Sequence, residues 1–496
     1  MSPHEFDLVV LVVGALLITA VAAVRASTRL GVPSLLCYLA LGVALGESGA
    51  GVEFDDAQLA QHLGLAALVV ILAEGGLTAH WPSLRPVLPV GLALSTVGVA
   101  VSVLVTAAGV HLLLGLEWRV ALILGGVVAP TDAAAIFATL RGMPLRRSLV
   151  NVLEVESGTN DPLAVIIVVA LSSRTPAGGA WHTVAEGIVE IVVGALVGVA
   201  LGHLGGRVLR AAALPAAGLY PLGVLATAVL AYGVAAVLHG SGFLAVYVAA
   251  VSLGRLRLPH QQATRAVIEG IGWLAQIGLF VMLGLLVSPG RLGAAAATAL
   301  VASGVLLLVA RPLAVAAAVG WVLPVRHQAF LSWAGLRGAV PIVLATIPVT
   351  AAVPGSDDLI EVVFFLTVVL TLVQGSTLPA VARRLGAVDD AALTDLQVES
   401  APLEALGADL LQMRIPAGSR LHGVEIDALR LPAGALITLV VRAGRSFVPG
   451  PSTSLRAGDQ VVVVATEQSR PEAERRLRAV SRRGDLARWH GERGEE

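Results

Sequence analysis

Thirteen apolar stretches, each long enough or nearly so to cross a lipid bilayer, fill the first 384 residues and leave few architectures open. A hydrocarbon core about 30 Å thick needs roughly 20 apolar residues per helix. Such runs lie near 6–25, 31–46, 59–79, 86–114, 118–140, 148–172, 181–206, 218–238, 240–254, 265–287, 292–322, 327–350 and 358–382. The run at 292–322 fits one tilted helix or two short ones, so the count is thirteen or fourteen. Lipid cannot satisfy backbone N–H and C=O groups, so runs of this length must be helices. Composition agrees: 56% of the residues are hydrophobic and 14% charged, where an ordinary soluble chain carries about 25% charged residues. A soluble globular enzyme is excluded. The single cysteine, Cys37, rules out an intrachain disulfide and a cysteine-based metal site.

The arginines give an independent check on this count. All 33 basic residues are arginine, balanced by 34 acids for a net charge of −1, so nothing favours nucleic acid. Fourteen of them (25, 29, 85, 141, 146, 147, 207, 210, 255, 257, 265, 326, 383 and 384) fall in loops of one side. Only Arg119, Arg174 and Arg291 fall on the other, beside the acidic clusters Glu47 to Asp56 and Asp357–Asp358. This alternation obeys the positive-inside rule and places the N-terminus outside and the C-terminus in the cytoplasm. The first apolar run has no basic segment before it and no small-residue cleavage site, and reads as a retained span.

Ala67–Leu77 (ALVVILAEGGL) and Ile277–Val287 (IGLFVMLGLLV) are similar runs seven spans apart. An odd offset inverts topology, which suggests two inverted halves, spans 1–6 and 8–13, linked by span 7. With the same offset span 5 pairs with span 12. Span 5 carries Gly125, Gly126 and Pro130 before Thr131–Asp132, and span 12 carries Gly335, Gly338 and Pro341 around Arg337. Breakers and a charge near mid-span in both predict two discontinuous helices.

Glu74, Asp132, Glu154, Glu156, Asp161, Arg311 and Arg337 all fall inside apolar runs. Each costs roughly 2.5–3.5 kcal/mol at a helix centre unless it is paired or wetted. In span 6 the segment Glu154-Val-Glu-Ser-Gly-Thr-Asn-Asp161 puts Ser157 and Asp161 on one face, and Glu156 and Asn160 on the adjacent one. Hard monovalent cations take oxygen ligands, and a carboxylate also takes a proton. One Asp that holds either, never both, is the minimum device for exchange. Thr131 and Asp132 would supply further oxygens. The bland alternative is structural pairing of the acids with arginine; it suits Glu156, expected to pair with Arg337, and competes evenly for Glu74. Arg311 reads as a stabiliser of helix ends or carbonyls.

The strings PTDAAAIF (130–137), ESGTNDPLAV (156–165), GSGFLAVYVA (240–249) and GLRGAVPIVLA (335–345) resemble the monovalent cation:proton antiporter-1 family, and within it the bacterial NhaP-type potassium/proton antiporters. The resemblance implies an ion-binding Asp at Asp161, preceded by Asn160, with Ser157 one turn earlier and the Thr131–Asp132 pair on the unwound helix. The acid on span 3 would be Glu74, and the structural ion pair Glu156 with Arg337. Ala133 departs from the family, where many members have Pro. Members with Asn-Asp at 160–161 are generally electroneutral, so the resemblance implies one proton per potassium or sodium ion, in a homodimer of the bacterial inner membrane. No cofactor is implied.

Beyond Arg384 the composition becomes that of a soluble chain. Residues 385–407 read as an acidic linker or short helix, 408–483 as a small α/β domain and 484–496 as a disordered charged end. Leu436–Val441 and Gln460–Ala465 predict strands, and Pro471–Arg483 a charged helix. This stretch resembles TrkA-C (RCK-C) domains, which implies dimerisation and regulation, in some members through a small ligand; a dimerisation module with no ligand is the even alternative. Such tails also gate potassium channels, so a gated channel is the competing function. No TVGYG-like filter is present, and an intramembrane enzyme would lack an HExxH motif. The sequence therefore predicts an all-α polytopic exchanger with two inverted repeats and a small cytoplasmic domain.

Overall fold

The computed structural model describes residues 3–30, 33–47, 49–52, 54–140, 143, 145–173, 180–212, 214–256, 258–389, 397–403, 408–416, 418–466 and 468–483. Two compact units, Met1–Ala387 and Val388–Glu496, divide the chain.

In the first unit the helices run α1 (Pro3–Leu30), α2 (Ser34–Leu45), α3 (Ala57–Thr78), α4 (Trp81–Leu114), α5 (Trp118–Val127), α6 (Ala133–Thr139) and α7 (Arg147–Ser172). They continue as α8 (Ala180–Ala211), α9 (Leu219–Val237), α10 (Gly242–Arg255), α11 (Gln261–Leu286), α12 (Pro289–Val319), α13 (Val325–Trp333), α14 (Val340–Thr350) and α15 (Leu359–Arg384). Eight described helices are long and apolar enough to cross a membrane. The run at 292–322 forms one of them, α12, rather than two.

Two spans are interrupted, as the breakers predicted. α5 and α6 are separated by the non-helical segment 128–132, and α13 and α14 by 334–339. A second pair of irregularities stands seven spans apart: α4 contains a π-helical turn at Leu94–Gly98, and α12 one at Leu306–Ala310. Four irregular spans in two pairs of the same offset are what an inverted repeat produces.

The helices pack as two groups. α4–α7 and α12–α15 contact one another, while α2, α3 and α8–α11 form the other set. Where apolar burial gives no advantage over lipid, close backbone approach through small residues drives helix association. α2 crosses α11 at Gly42 and Gly284, where an added Cβ would overlap the facing backbone. The groups meet along α3 and α14: Gly64 lies against Val343, and the Thr350 hydroxyl donates to Gln61 Oε1 at 2.8 Å.

The second unit is a five-stranded antiparallel sheet of order β1-β2-β5-β3-β4, from β1 (Gln397–Leu403), β2 (Ala408–Arg414), β3 (Ala435–Arg442), β4 (Arg445–Phe447) and β5 (Gln460–Thr466), followed by helix α16 (Arg470–Arg483). Both strands predicted from the sequence and the helix are present. β1 lies inside the stretch expected to be a linker, so that expectation is corrected: Gln397–Leu403 pairs along its length with β2. Its sequence, QVESAPL, lacks a clean apolar alternation, and pairing with β2 makes it a strand. Alternate residues of β2 and β5 (Leu411, Met413, Val461, Val463) bury one face under Leu477 and Val480 of α16. Arg442 of β3 bonds both carboxylate oxygens of Asp459 at 2.9 and 2.7 Å. The expected disordered end, 484–496, lies outside the described residues.

Candidate functional site

The two interruptions lie side by side, because each supplies what the other lacks. An interrupted helix leaves carbonyl and amide groups unpaired, and lipid offers no substitute partner. The Asp132 amide donates to Leu336 O at 2.8 Å. In return Arg337 Nη1 donates to Ala129 O and Pro130 O, at 3.1 and 2.8 Å. On α15, Gln374 donates to Trp333 O at 2.8 Å and Thr371 to Arg337 O at 3.3 Å. Five residues of the two interruptions, Ala129, Pro130, Asp132, Leu336 and Arg337, are thus held by named hydrogen bonds.

Asp132 is the N-cap of α6, its Oδ1 accepting from Ala135 N at 3.1 Å. Ser157 of α7 accepts from Ala133 N at 3.2 Å, so the start of α6 rests on α7. One turn on, Asn160 Nδ2 donates to Thr131 Oγ1 at 2.8 Å. Asn160, fully buried, ties α7 to the unwound strand and leaves the Thr131 hydroxyl hydrogen and one lone pair for another partner. Asp161 is 6% exposed, forms no ion pair among the described residues, and its Oδ1 has no hydrogen-bond partner among them.

Glu74, Thr131, Asp132, Ser157 and Asp161 line one cavity of about 210 Å³. The structure therefore brings together five of the six expected ion-site residues. Asn160, the sixth, stands behind Thr131. Glu154 and Tyr247 line the same cavity and were not assigned a place in it. Tyr247 packs over Gly158, where a Cβ would overlap its ring, so the space Gly158 leaves empty is filled by the phenol. Its presence in the string 240–249 was the only signal available, since in an apolar run Tyr reads as core. Gly338 lies so close to Asp132 that an added Cβ would overlap Oδ2.

The expected ion pair of Glu156 with Arg337 is corrected. Glu156 Oε1 is met by Arg311 Nη1 at 2.6 Å, both side chains buried. Arg337 is committed instead to the Ala129 and Pro130 carbonyls of the broken span 5, which among the described residues take no other cationic donor. Arg311 follows the π-helical turn of α12 directly, and Ser95, in the π-helical turn of α4, lies 3.3 Å from Glu156 O. Both turns thus converge on one point of α7.

Comparison with known proteins gives this geometry its context. The family model described as sodium/hydrogen exchanger, transmembrane, matches residues 15–384. The chain belongs to that exchanger family. A TrkA-C domain model matches residues 410–478. The exchanger chain is 34% identical over 472 residues to the K(+)/H(+) antiporter NhaP of Alkalimonas amylolytica, covering 93% of this chain and 82% of that one. It is 34% identical to K(+)/H(+) antiporter NhaP2 of Shewanella oneidensis, covering 92% and 81%. A more distant match is the Na(+)/H(+) antiporter NhaH of Halobacillus dabanensis, 27% identical over 319 residues, covering 60% of this chain and 76% of that one. Among solved structures, the sodium proton antiporter MjNhaP1 of Methanocaldococcus jannaschii shares the fold: TM-score 0.66 at 19% identity, covering 75% of this chain and all of that one. The exchanger is thus a multi-pass membrane protein with a TrkA-C domain, and its named relatives are antiporters rather than enzymes.

Proposed function

We propose that this exchanger carries potassium in one direction and a proton in the other, with Asp161 as the shared binding group. The observation that carries the reading is the Asp161 carboxylate, buried without an ion pair among the described residues, in a cavity lined also by Thr131, Asp132, Ser157 and Glu74. A bare carboxylate there is costly, and either a proton or a cation neutralises it. Binding one excludes the other, which couples the two flows. Potassium is favoured over sodium by the two potassium/proton relatives that span most of the chain. Asn160, a neutral amide occupied with Thr131, puts no carboxylate next to Asp161 on α7, and with Asp161 as the one exchanging group the cycle carries one proton per cation and is electroneutral. A homodimer, a cytoplasmic TrkA-C domain that regulates exchange, and a small ligand on that domain complete the proposal. The gated-channel alternative is not favoured, since residues 15–384 match an exchanger family.

The test is purified protein in liposomes holding a pH-sensitive dye, with the membrane potential clamped at zero. Potassium added outside should move protons, and Asp161→Asn should abolish that movement while the protein still elutes as a folded species. A labelled cation that crosses without proton movement would overturn the reading.

A further inference from the structure

Gln374 of α15 reaches the end of α13, where its Nε2 donates to Trp333 O at 2.8 Å and to Gly335 O at 3.4 Å. The other half of the amide, Oε1, has no hydrogen-bond partner among the described residues. The same holds for Nε of Arg311 and Nε of Arg337. All three side chains belong to residues at most 4% exposed, and all three line one gap in the bundle. Arg311 passes so close to Gly335 that an added Cβ would lie 2.7 Å from its Nε.

Two donors and one acceptor are thus gathered without being joined. A buried polar atom that lacks a partner is costly, and each such atom calls for an explanation. The gap has no room for a water molecule, so the remedy lies with the three groups themselves. Each guanidinium Nε carries one hydrogen and a carboxamide oxygen has two lone pairs, so Gln374 Oε1 can serve either arginine or both.

We propose that Gln374 is a positioning residue of the exchange cycle, anchoring the end of α13 by its NH₂ group and offering Oε1 as the acceptor on which Arg337 closes when the ion site fills. The proposal deepens the exchange reading and rests on it.

The link to the ion site runs through Arg337. Its Nη1 holds Ala129 O and Pro130 O, directly before Thr131 and Asp132. A cation gathers several oxygens around it and a proton needs one, so the unwound segment sits differently in the two loaded states and carries Arg337 with it. Arg311 is less free to follow, being held by Glu156 Oε1 and Leu331 O. Gln374 is placed to meet that movement. Thr371, three residues before it on the same face of α15, already holds Arg337 O at 3.3 Å. One helix face therefore grips the Arg337 backbone and presents an open acceptor near its guanidinium.

Gln374→Met keeps the length of the side chain and removes both halves of the amide. In proteoliposomes it should raise the half-saturating potassium concentration roughly three- to tenfold, with the rate at saturation per folded protein within about twofold of the wild type. Arg337→Lys, which has no Nε–H, should raise it as well. Adding Gln374→Met to Arg337→Lys should then cost less than about a further twofold, because Gln374 acts through Arg337. If Gln374→Met does not elute as a folded species, Gln374→Asn, which draws the amide back by one methylene, carries the same expectations. An unchanged half-saturation, a fall in the saturated rate alone, or a double variant whose effect is the product of the two single ones would overturn the proposal. Failure of the exchange reading is separate: it would show as absent potassium-dependent proton movement in the wild type.

Discussion

Glu156 and Arg311 form a buried ion pair, Oε1 to Nη1 at 2.6 Å, that joins α7 to α12 next to two π-helical turns. The pair lies off the ion cavity, whose lining includes neither residue. Its work is to fix α7, the helix that carries Ser157, Asn160 and Asp161.

Removing one partner leaves the other charge stranded in the bundle. Arg311→Ala or Glu156→Ala should each destabilise the protein by about 3–5 kcal/mol, whereas replacing both with Leu should cost less than either alone. Thermal melts in detergent on the two single variants and the double variant measure this directly. A double variant weaker than both singles would mean that the pair does more than neutralise itself.

Gly338→Ala should cut exchange at least roughly tenfold, since the new methyl overlaps Asp132 Oδ2 and must push the unwound segment off its partner. Gly278→Ala, where nothing lies within 4 Å of the added carbon, should leave transport unaltered. Initial rates of the two variants, normalised to folded protein, decide it.

The tail carries a pH-dependent element outside the membrane. Burial pushes the Asp459 carboxyl up, but the Arg442 side chain, the Arg456 N–H and both arginine charges together outweigh it and hold the group below its usual value. A depressed folded value means stability that is present above the unfolded value of about 4 and is lost as pH falls through the folded one. Hydrogen exchange in β3 and β5, taken relative to the intrinsic amide rate at each pH, should therefore speed up only below about pH 4. Asp459→Asn should speed it at neutral pH and remove that dependence.

Cysteines placed at Gln61 and Thr350, with Cys37 replaced by Ser, should be joined by a reversible bifunctional thiosulfonate reagent. Exchange should stop on cross-linking and return on reduction, because the two helix groups must part there for the site to reach the other side. Undiminished transport in the cross-linked protein would show that the contact stays closed throughout the cycle.

Much of this was legible in the chain itself. Apolar run length placed the helices, and Pro130, Gly335, Gly338 and Pro341 marked the interruptions, because both signals act locally. The gathering of Thr131, Asp132, Ser157 and Asp161 followed from breakers and helical spacing together with the resemblance of the strings around them. What escaped was set by geometry across the bundle. The sequence pointed to Arg337 as the partner of Glu156 and to Arg311 as a stabiliser of helix ends or carbonyls; a π-helical turn in Leu-Leu-Leu-Val-Ala, with no residue to announce it, precedes Arg311.

The seam between α3 and α14 has an electrical consequence. The lining of the Asp161 cavity begins at Ile71 on α3 and ends at Pro341 on α14, short of Gly64 and Val343 and of the Gln61–Thr350 contact. Among the described residues the cavity that holds Asp161 thus stops short of the seam. Membranes bearing this protein should stay insulating, and a patch-clamp recording at any holding voltage should show no unitary steps.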